Sequence, residues 1–222
     1  MIAALVAVVL LFGLCVAEAV TGLALTVERD ALRDLRASAS PTVDSTMRLV
    51  SRFGGGAGVA AAAPVVLGWL LARRRWLSAA VFAVSVAGAA LGPLLKELVR
   101  RPRPRLWAGV DQMDGWSFPS GHAISSAAFV SALVAVVWAT RWRWPMLVCG
   151  AVLVVLVGLA RVELGVHYPS DVVGGWSMAV GWVIGVHLGV RRLEARRRLR
   201  RSGSGKPVQT DRSNPRLAVS DP

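Results

Sequence analysis

WLSAAVFAVSVAGAALGPLLKELVRRPRPRLW, residues 76–107, joins two kinds of sequence that seldom adjoin. Residues 76–95 carry no charge and supply the roughly 20 apolar positions a helix needs to cross a bilayer. Directly after them Lys96, Arg100, Arg101, Arg103 and Arg105 crowd the chain. The apolar part predicts a membrane helix, and the basic part asks which side of the membrane holds it.

The rest of the chain repeats the first pattern. Of 222 residues, 55% are hydrophobic, while the formal net charge is +13. A disordered tail lacks the first property and an ordinary soluble domain lacks both together. Near-continuous apolar segments fall at about 2–26, 55–72, 76–95, 123–140, 145–160 and 173–190, with the fifth extending beyond its apolar run at one end. Nine Trp but one Tyr occur, and Trp69, Trp76, Trp138, Trp142 and Trp144 lie near segment ends, where amphipathic rings favour the membrane interface. The expected fold is all-α, an integral membrane bundle of six transmembrane helices occupying 1–192. No zinc or helix-turn-helix pattern is legible and no soluble domain remains, so the positive charge is not read as a nucleic-acid footprint. Cys15 and Cys149 sit inside apolar segments and read as small buried hydrophobes rather than a disulfide.

Arginine counts in short loops orient the bundle. Arg73 to Arg75, the pair Arg141 and Arg143, and the run from Arg191 all fall on one side, the cytoplasmic one. Both termini then face the cytoplasm, and about 27–54, 96–122 and 161–172 face outside. The first segment offers an Ala-x-Ala site around Glu18, yet Met1-Ile2-Ala3 has no basic n-region, so a retained helix is expected. In the first outer segment Pro41 and the spacing of Val43, Met47 and Val50 suggest an amphipathic helix on the interface, with a solvated connector as the open alternative. Residues 193–222 read as a basic, disordered tail whose start can touch anionic lipid heads.

The outward placement of Lys96, Arg100, Arg101, Arg103, Arg105 and Arg161 runs against the positive-inside tendency and calls for a local reason. Two of the three histidines, His122 and His167, lie at the same face; His187 falls inside the sixth segment and reads as a packed helix residue. In FPSGH, Ser120 is a plausible N-cap. The helix start behind it presents free N–H groups and a positive dipole end, and Gly121 lets a ligand approach the backbone. In ARVELGVHYPSD, Pro169 suits a first helical turn and returns Asp171 towards His167. A carboxylate on one ring nitrogen fixes the tautomer and leaves the other as a nucleophile. Two histidines without HExxH or CxxC make a poor zinc set, so no metal and no other cofactor is expected.

These three outer stretches together resemble the type-2 phosphatidic acid phosphatase superfamily, which includes lipid phosphate phosphatases, bacterial acid phosphatases and vanadium haloperoxidases. Its pattern Lys-x6-Arg-Pro matches Lys96 and Arg103-Pro104, Pro-Ser-Gly-His matches Pro119 to His122, and Ser-Arg-x5-His-x3-Asp matches Arg161, His167 and Asp171. One position departs: Ala160 stands where the family has Ser.

The resemblance implies a catalytic set of His167 attacking phosphorus, Asp171 assisting it, and His122 protonating the leaving oxygen. It further implies that Lys96, Arg103, Arg161, the Ser120 hydroxyl and the Gly121 N–H hold the phosphoryl oxygens. Arg100, Arg101 and Arg105 fall outside the motif as bystanders. The expected function is hydrolysis of a lipid phosphate or diphosphate such as undecaprenyl diphosphate, phosphatidic acid or phosphatidylglycerol phosphate, with membrane lipids as surroundings. A lipid phosphotransferase and a non-catalytic lipid-phosphate binding or transport protein are the alternatives. The intact pair His122 and His167 argues against the last.

Overall fold

In the computed structural model, residues 1–37, 39–104 and 114–203 are described, and among them all regular structure is helical. The helices are α1 (Ile2–Thr21), α2 (Leu25–Ala37), α3 (Pro41–Gly54), α4 (Gly56–Ala72), α5 (Trp76–Ala87), α6 (Leu91–Val99), α7 (Gly121–Val137), α8 (Arg143–Glu163) and α9 (Pro169–Gly203). Five stretches are long and apolar enough to cross a membrane: Ile2–Thr21, Pro41–Ala72, Trp76–Val99, Arg143–Glu163 and Pro169–Arg197. The fourth expected span is α7, at 17 residues shorter than the rest. Large apolar side chains such as Val6, Leu10, Leu14, Val65, Leu94, Leu98, Val148 and Val152 point outward, the pattern of a surface solvated by lipid tails.

Where the elements differ from the expected segments, local chemistry gives the reason. The first apolar segment stops at Thr21 rather than 26, because Gly22 adopts φ 65° and its N–H caps the Glu18 carbonyl. The third is divided by a 3-10 turn at Gly88–Ala90. There the Trp182 indole donates to the Val84 carbonyl at 2.9 Å and occupies the space a Cβ on Gly88 would need. Pro93 adds a missing N–H in the first turn of α6. The helix resumes and carries on to Val99, four residues past the expected end, which puts Lys96 inside it.

Residues 27–54 are not a solvated connector. They form most of α2 and all of α3, and α3 starts with the Ser40 hydroxyl accepting the Val43 N–H and Pro41 in the first turn. Its buried face is Asp44, Ser51 and Gly54, turned from the 43/47/50 face read from the sequence, because it packs on α8. Gly54 admits the Val157 side chain of α8. α7 is the central helix, with Ala123, Ile124, Ser125, Ser126, Ala127 and Ala128 consecutively buried. Glycines on its neighbours allow close approach: Gly158 of α8 makes room for Trp176 of α9, and Gly175 of α9 lies against the Ser120 carbonyl at the start of α7. Phe118 is fully buried against Cys15, Ala19 and Phe12 of α1 and against Gly174.

The chain divides into two compact units, Met1–His187 and the residues from Leu188. In the second unit the helix of α9 continues to Gly203, into the segment read from the sequence as tail, with Arg191, Arg192, Arg196 and Arg197 exposed along it. The remainder of that tail, 204–222, lies outside the described residues. Cys15 is buried and Cys149 exposed, both as free thiols.

Candidate active site

Three chain segments converge at the end of the bundle formed by the C-terminus of α6 and the N-termini of α7 and α9. The third segment is the turn from Leu164 to Tyr168, between α8 and α9. It starts α9 with Pro169, and the Asp171 side chain folds back to accept the Tyr168 N–H at 2.8 Å. His167 on this turn is 2% exposed and Asp171 fully buried. Asp171 Oδ2 stands 3.5 Å from His167 Nδ1, and Ser117 lies between them, its hydroxyl donating to Asp171 Oδ2 and lying 3.4 Å from His167 Nδ1.

On the other side of the ring, Arg103 Nη1 lies 3.3 Å from His167 Nε2. A guanidinium only donates, so Nε2 is the acceptor and the proton resides on Nδ1, facing Ser117 and Asp171. Burial pushes His167 down to about 3 against the pull of Asp171, with Arg161 and Arg103 adding to the shift. The imidazole is therefore neutral at physiological pH, with its unprotonated nitrogen aimed at a guanidinium.

Cations surround that nitrogen. Arg103 is pinned by bonds from Nε to the Gly115 carbonyl (3.1 Å) and from Nη1 to the Val166 carbonyl (2.9 Å). Lys96 Nζ donates to the carbonyls of Trp116 (2.6 Å) and Ser117 (3.4 Å), leaving one of its three N–H groups for another acceptor. Arg161, 4% exposed at the end of α8, donates to Ser51 Oγ of α3 at 2.8 Å. The fields of Arg161, Arg103 and Lys96 all reach His122, in the first turn of α7. Among the described residues, no group of three or more His, Cys, Asp or Glu is arranged to hold a metal ion.

Ser120 occupies the N-cap position of α7, but its hydroxyl does not cap the helix. The backbone does the anchoring: Ser120 N–H donates to the Asp171 carbonyl at 3.0 Å, tying the start of α7 to that of α9. The hydroxyl is buried with no hydrogen-bond partner, an arrangement that costs about 1–3 kcal/mol unless a ligand accepts or donates there. A Cβ on Gly121 would meet nothing within 4 Å, and the first-turn N–H groups of α7 have no intrahelical acceptor. His187 is sixteen residues beyond Asp171 on one helix, about 24 Å along its axis, and takes no part.

Two features were not legible from motif spacing. Ser117, three residues before Ser120, carries no motif signal, yet it bridges the His167 and Asp171 side chains. Arg101, read as a bystander, is 4% exposed and bonded to Asp171, Ser170 and Glu28. The first Arg-Pro pair, Arg101-Pro102, separated from Lys96 by four residues rather than the motif's six, is thus built in as well. Arg100 ends α6 in a left-handed conformation with its Nε on the Glu97 carbonyl, away from the histidines. Arg105 lies outside the described residues.

The chain is a helical bundle with membrane-length apolar helices, carrying at one end a buried His–Asp pair beside Lys96, Arg103 and Arg161. The PAP2 superfamily model matches residues 76–195, more than half of the chain, and the chain belongs to that superfamily. It is 39% identical over 132 residues to the decaprenylphosphoryl-5-phosphoribose phosphatase of Mycobacterium tuberculosis, covering 57% of this chain and 68% of that one. It is 30% identical over 118 residues to phosphatidylglycerophosphatase B of Bacillus subtilis, covering 51% of this chain and 58% of the relative. In fold it is similar to the crystal structure of the transmembrane PAP2-type phosphatidylglycerolphosphate phosphatase of Bacillus subtilis, with TM-score 0.74 and 24% identity over 85% of this chain and 96% of that one.

Proposed function

We propose that the protein is a membrane phosphatase that hydrolyses a lipid phosphate or diphosphate through a phosphohistidine on His167, without a metal. The observation that carries this reading is the buried imidazole whose Nε2 lies 3.3 Å from the Arg103 guanidinium. A phosphoryl group arriving at Nε2 meets in Arg103 a donor for its oxygens at the moment negative charge must be stabilised. Phosphoryl transfer asks a protein chiefly for in-line positioning and for charge stabilisation on the equatorial oxygens.

In the first step His167 Nε2 attacks phosphorus while the bond to the lipid oxygen breaks, and His122 delivers a proton to that oxygen. Asp171 and Ser117 hold the Nδ1–H as the ring becomes cationic. Lys96, Arg103, Arg161, the Ser120 hydroxyl and the Gly121 N–H bind the three phosphoryl oxygens. In the second step water, deprotonated by His122, attacks the phosphohistidine and releases inorganic phosphate. Undecaprenyl diphosphate, phosphatidic acid and phosphatidylglycerol phosphate all suit such a site, since their tails can stay in the bilayer. Arginine placement supports six spans with α7 as one of them, both termini in the cytoplasm and the site facing outside.

The test is phosphate release from a panel of these lipids by purified protein in EDTA. Wild type is expected to release phosphate from at least one lipid, and His167→Ala to release none. Survival of activity in His167→Ala, or its abolition by EDTA, sinks the mechanism.

A further inference from the structure

Behind the His–Asp pair lies a buried cluster of charges that the phosphoryl chemistry does not use. The Arg101 side chain is 3% exposed and divides its fork among three elements, α9, α2 and α1. Nη1 donates to Asp171 Oδ1 at 2.8 Å and to Ser170 Oγ at 2.7 Å; Nη2 donates to Glu28 Oε2 at 2.7 Å and, more weakly, to Glu18 Oε1 at 3.4 Å. The Tyr168 ring lies 4.3 Å from the guanidinium carbon, a cation–π contact. Glu28 also works with both oxygens: Oε1 accepts the Ser170 N–H at 2.7 Å. Ser170, one residue before Asp171, is therefore held by its N–H from α2 and by its hydroxyl from Arg101.

The arrangement is directional. Asp171 Oδ1 goes to Arg101, which leaves Oδ2 to Ser117, the Tyr168 N–H and the His167 side. Burial opposes the charge on Arg101, but Asp171 and Glu28 hold its proton affinity above the ordinary guanidinium value. The other charges near Asp171 are Lys96 and Arg103 on the site side, whose fields reach it, with the Cys15 thiol behind. Without Arg101, the carboxylates of Glu18, Glu28 and Asp171 would face one another in a buried space, a costly arrangement. A lysine could meet one carboxylate as a point charge but could not span Asp171 and Glu28 as the planar fork does.

We propose that Arg101 and Glu28 are positioning residues of the reaction: they lock the Asp171 carboxylate so that His167 keeps the Nδ1–H tautomer and presents Nε2 to phosphorus. This rests on the reading of His167 as the nucleophile. It makes α2, which precedes the region matched by the family model, part of the working site.

The test uses the full chain in lipid nanodiscs, with ring-15N histidine. Because the chain has three histidines, single substitutions at His122 and His187 assign the His167 resonances. Arg101→Met is expected to lower kcat about 100-fold, the scale of a misplaced reacting group, with KM changed less than about threefold. Its His167 nitrogens are expected to move from one Nδ1–H tautomer to a mixture. Arg101→Lys should recover about tenfold of the lost kcat, since one carboxylate contact returns. Folding is checked by size exclusion and thermal unfolding, and if Arg101→Met does not fold, Glu28→Gln carries the test, with an expected loss of about tenfold and the same tautomer shift. A folded variant that keeps wild-type kcat, or loses kcat with the His167 tautomer unchanged, overturns the proposal. A wild type that forms no phosphohistidine overturns instead the reading of His167 on which the proposal rests.

Discussion

Ser117 is where a single side chain connects the proposed nucleophile to its carboxylate. Its hydroxyl donates to Asp171 Oδ2 and lies 3.4 Å from His167 Nδ1, so Ser117→Ala removes a relay without removing a charge. We expect kcat to fall about tenfold with KM nearly unchanged, the scale of one buried hydrogen bond, as read from steady-state phosphate release. The His167 imidazole itself has a pH signature. Its folded pKa of about 3 lies below the ordinary 6.5, so between these values the unfolded chain binds a proton that the native chain does not. The stability that follows is full above about 6.5 and is lost as pH falls towards 3. Side-chain 15N shifts of His167 should show no titration between pH 8 and 5; a midpoint near 6.5 would contradict the buried, neutral ring. His167, Asp171, Lys96, Arg103 and Arg161 were legible in the sequence through the family motifs they match. Ser117, Arg101 and Glu28 were not, because their roles depend on which elements meet in space. Glu28 is 73 residues from the arginine it holds.

The junction of α3 and α4 presses backbone against the proposed acid. A Cβ on Gly55 would stand 2.0 Å from His122 Cδ2, so Gly55→Ala must displace the imidazole or the helix junction. Gly56→Ala, whose Cβ would meet nothing within 4 Å, is the matched control. We expect phosphate release to fall 10- to 100-fold in the first and to stay within about twofold of wild type in the second. Equal activities would contradict the close approach. Helix α3 also supports Arg161 through Ser51, so a segment read from the sequence as interfacial helix or connector braces both a cation and a histidine. The sequence allowed that helix, because Ser40 and Pro41 mark its start; which face it buries depends on α8, and local periodicity holds no information about the partner. The break between α5 and α6 likewise depends on a distant partner, Trp182, 98 residues from the carbonyl it binds.

For the molecule as a whole, the membrane class follows from apolar segment length, and the proposed sidedness rests on arginine placement. On a background with Cys15 and Cys149 replaced, a cysteine at Asp30, exposed on α2, should react with an impermeant maleimide on intact cells. A cysteine at Arg196 should react only after permeabilisation, and the reverse pattern would invert the proposed orientation. The proposed mechanism turns on one chemical event, the transfer of phosphorus to His167. Brief incubation of wild type and His167→Ala with a 32P-labelled lipid phosphate in EDTA, followed by alkaline quenching, tests that event directly. The account predicts an acid-labile, base-stable label on the wild-type chain and none on His167→Ala. Label retained by His167→Ala, or turnover by wild type with no labelled protein at any quench time, would contradict it.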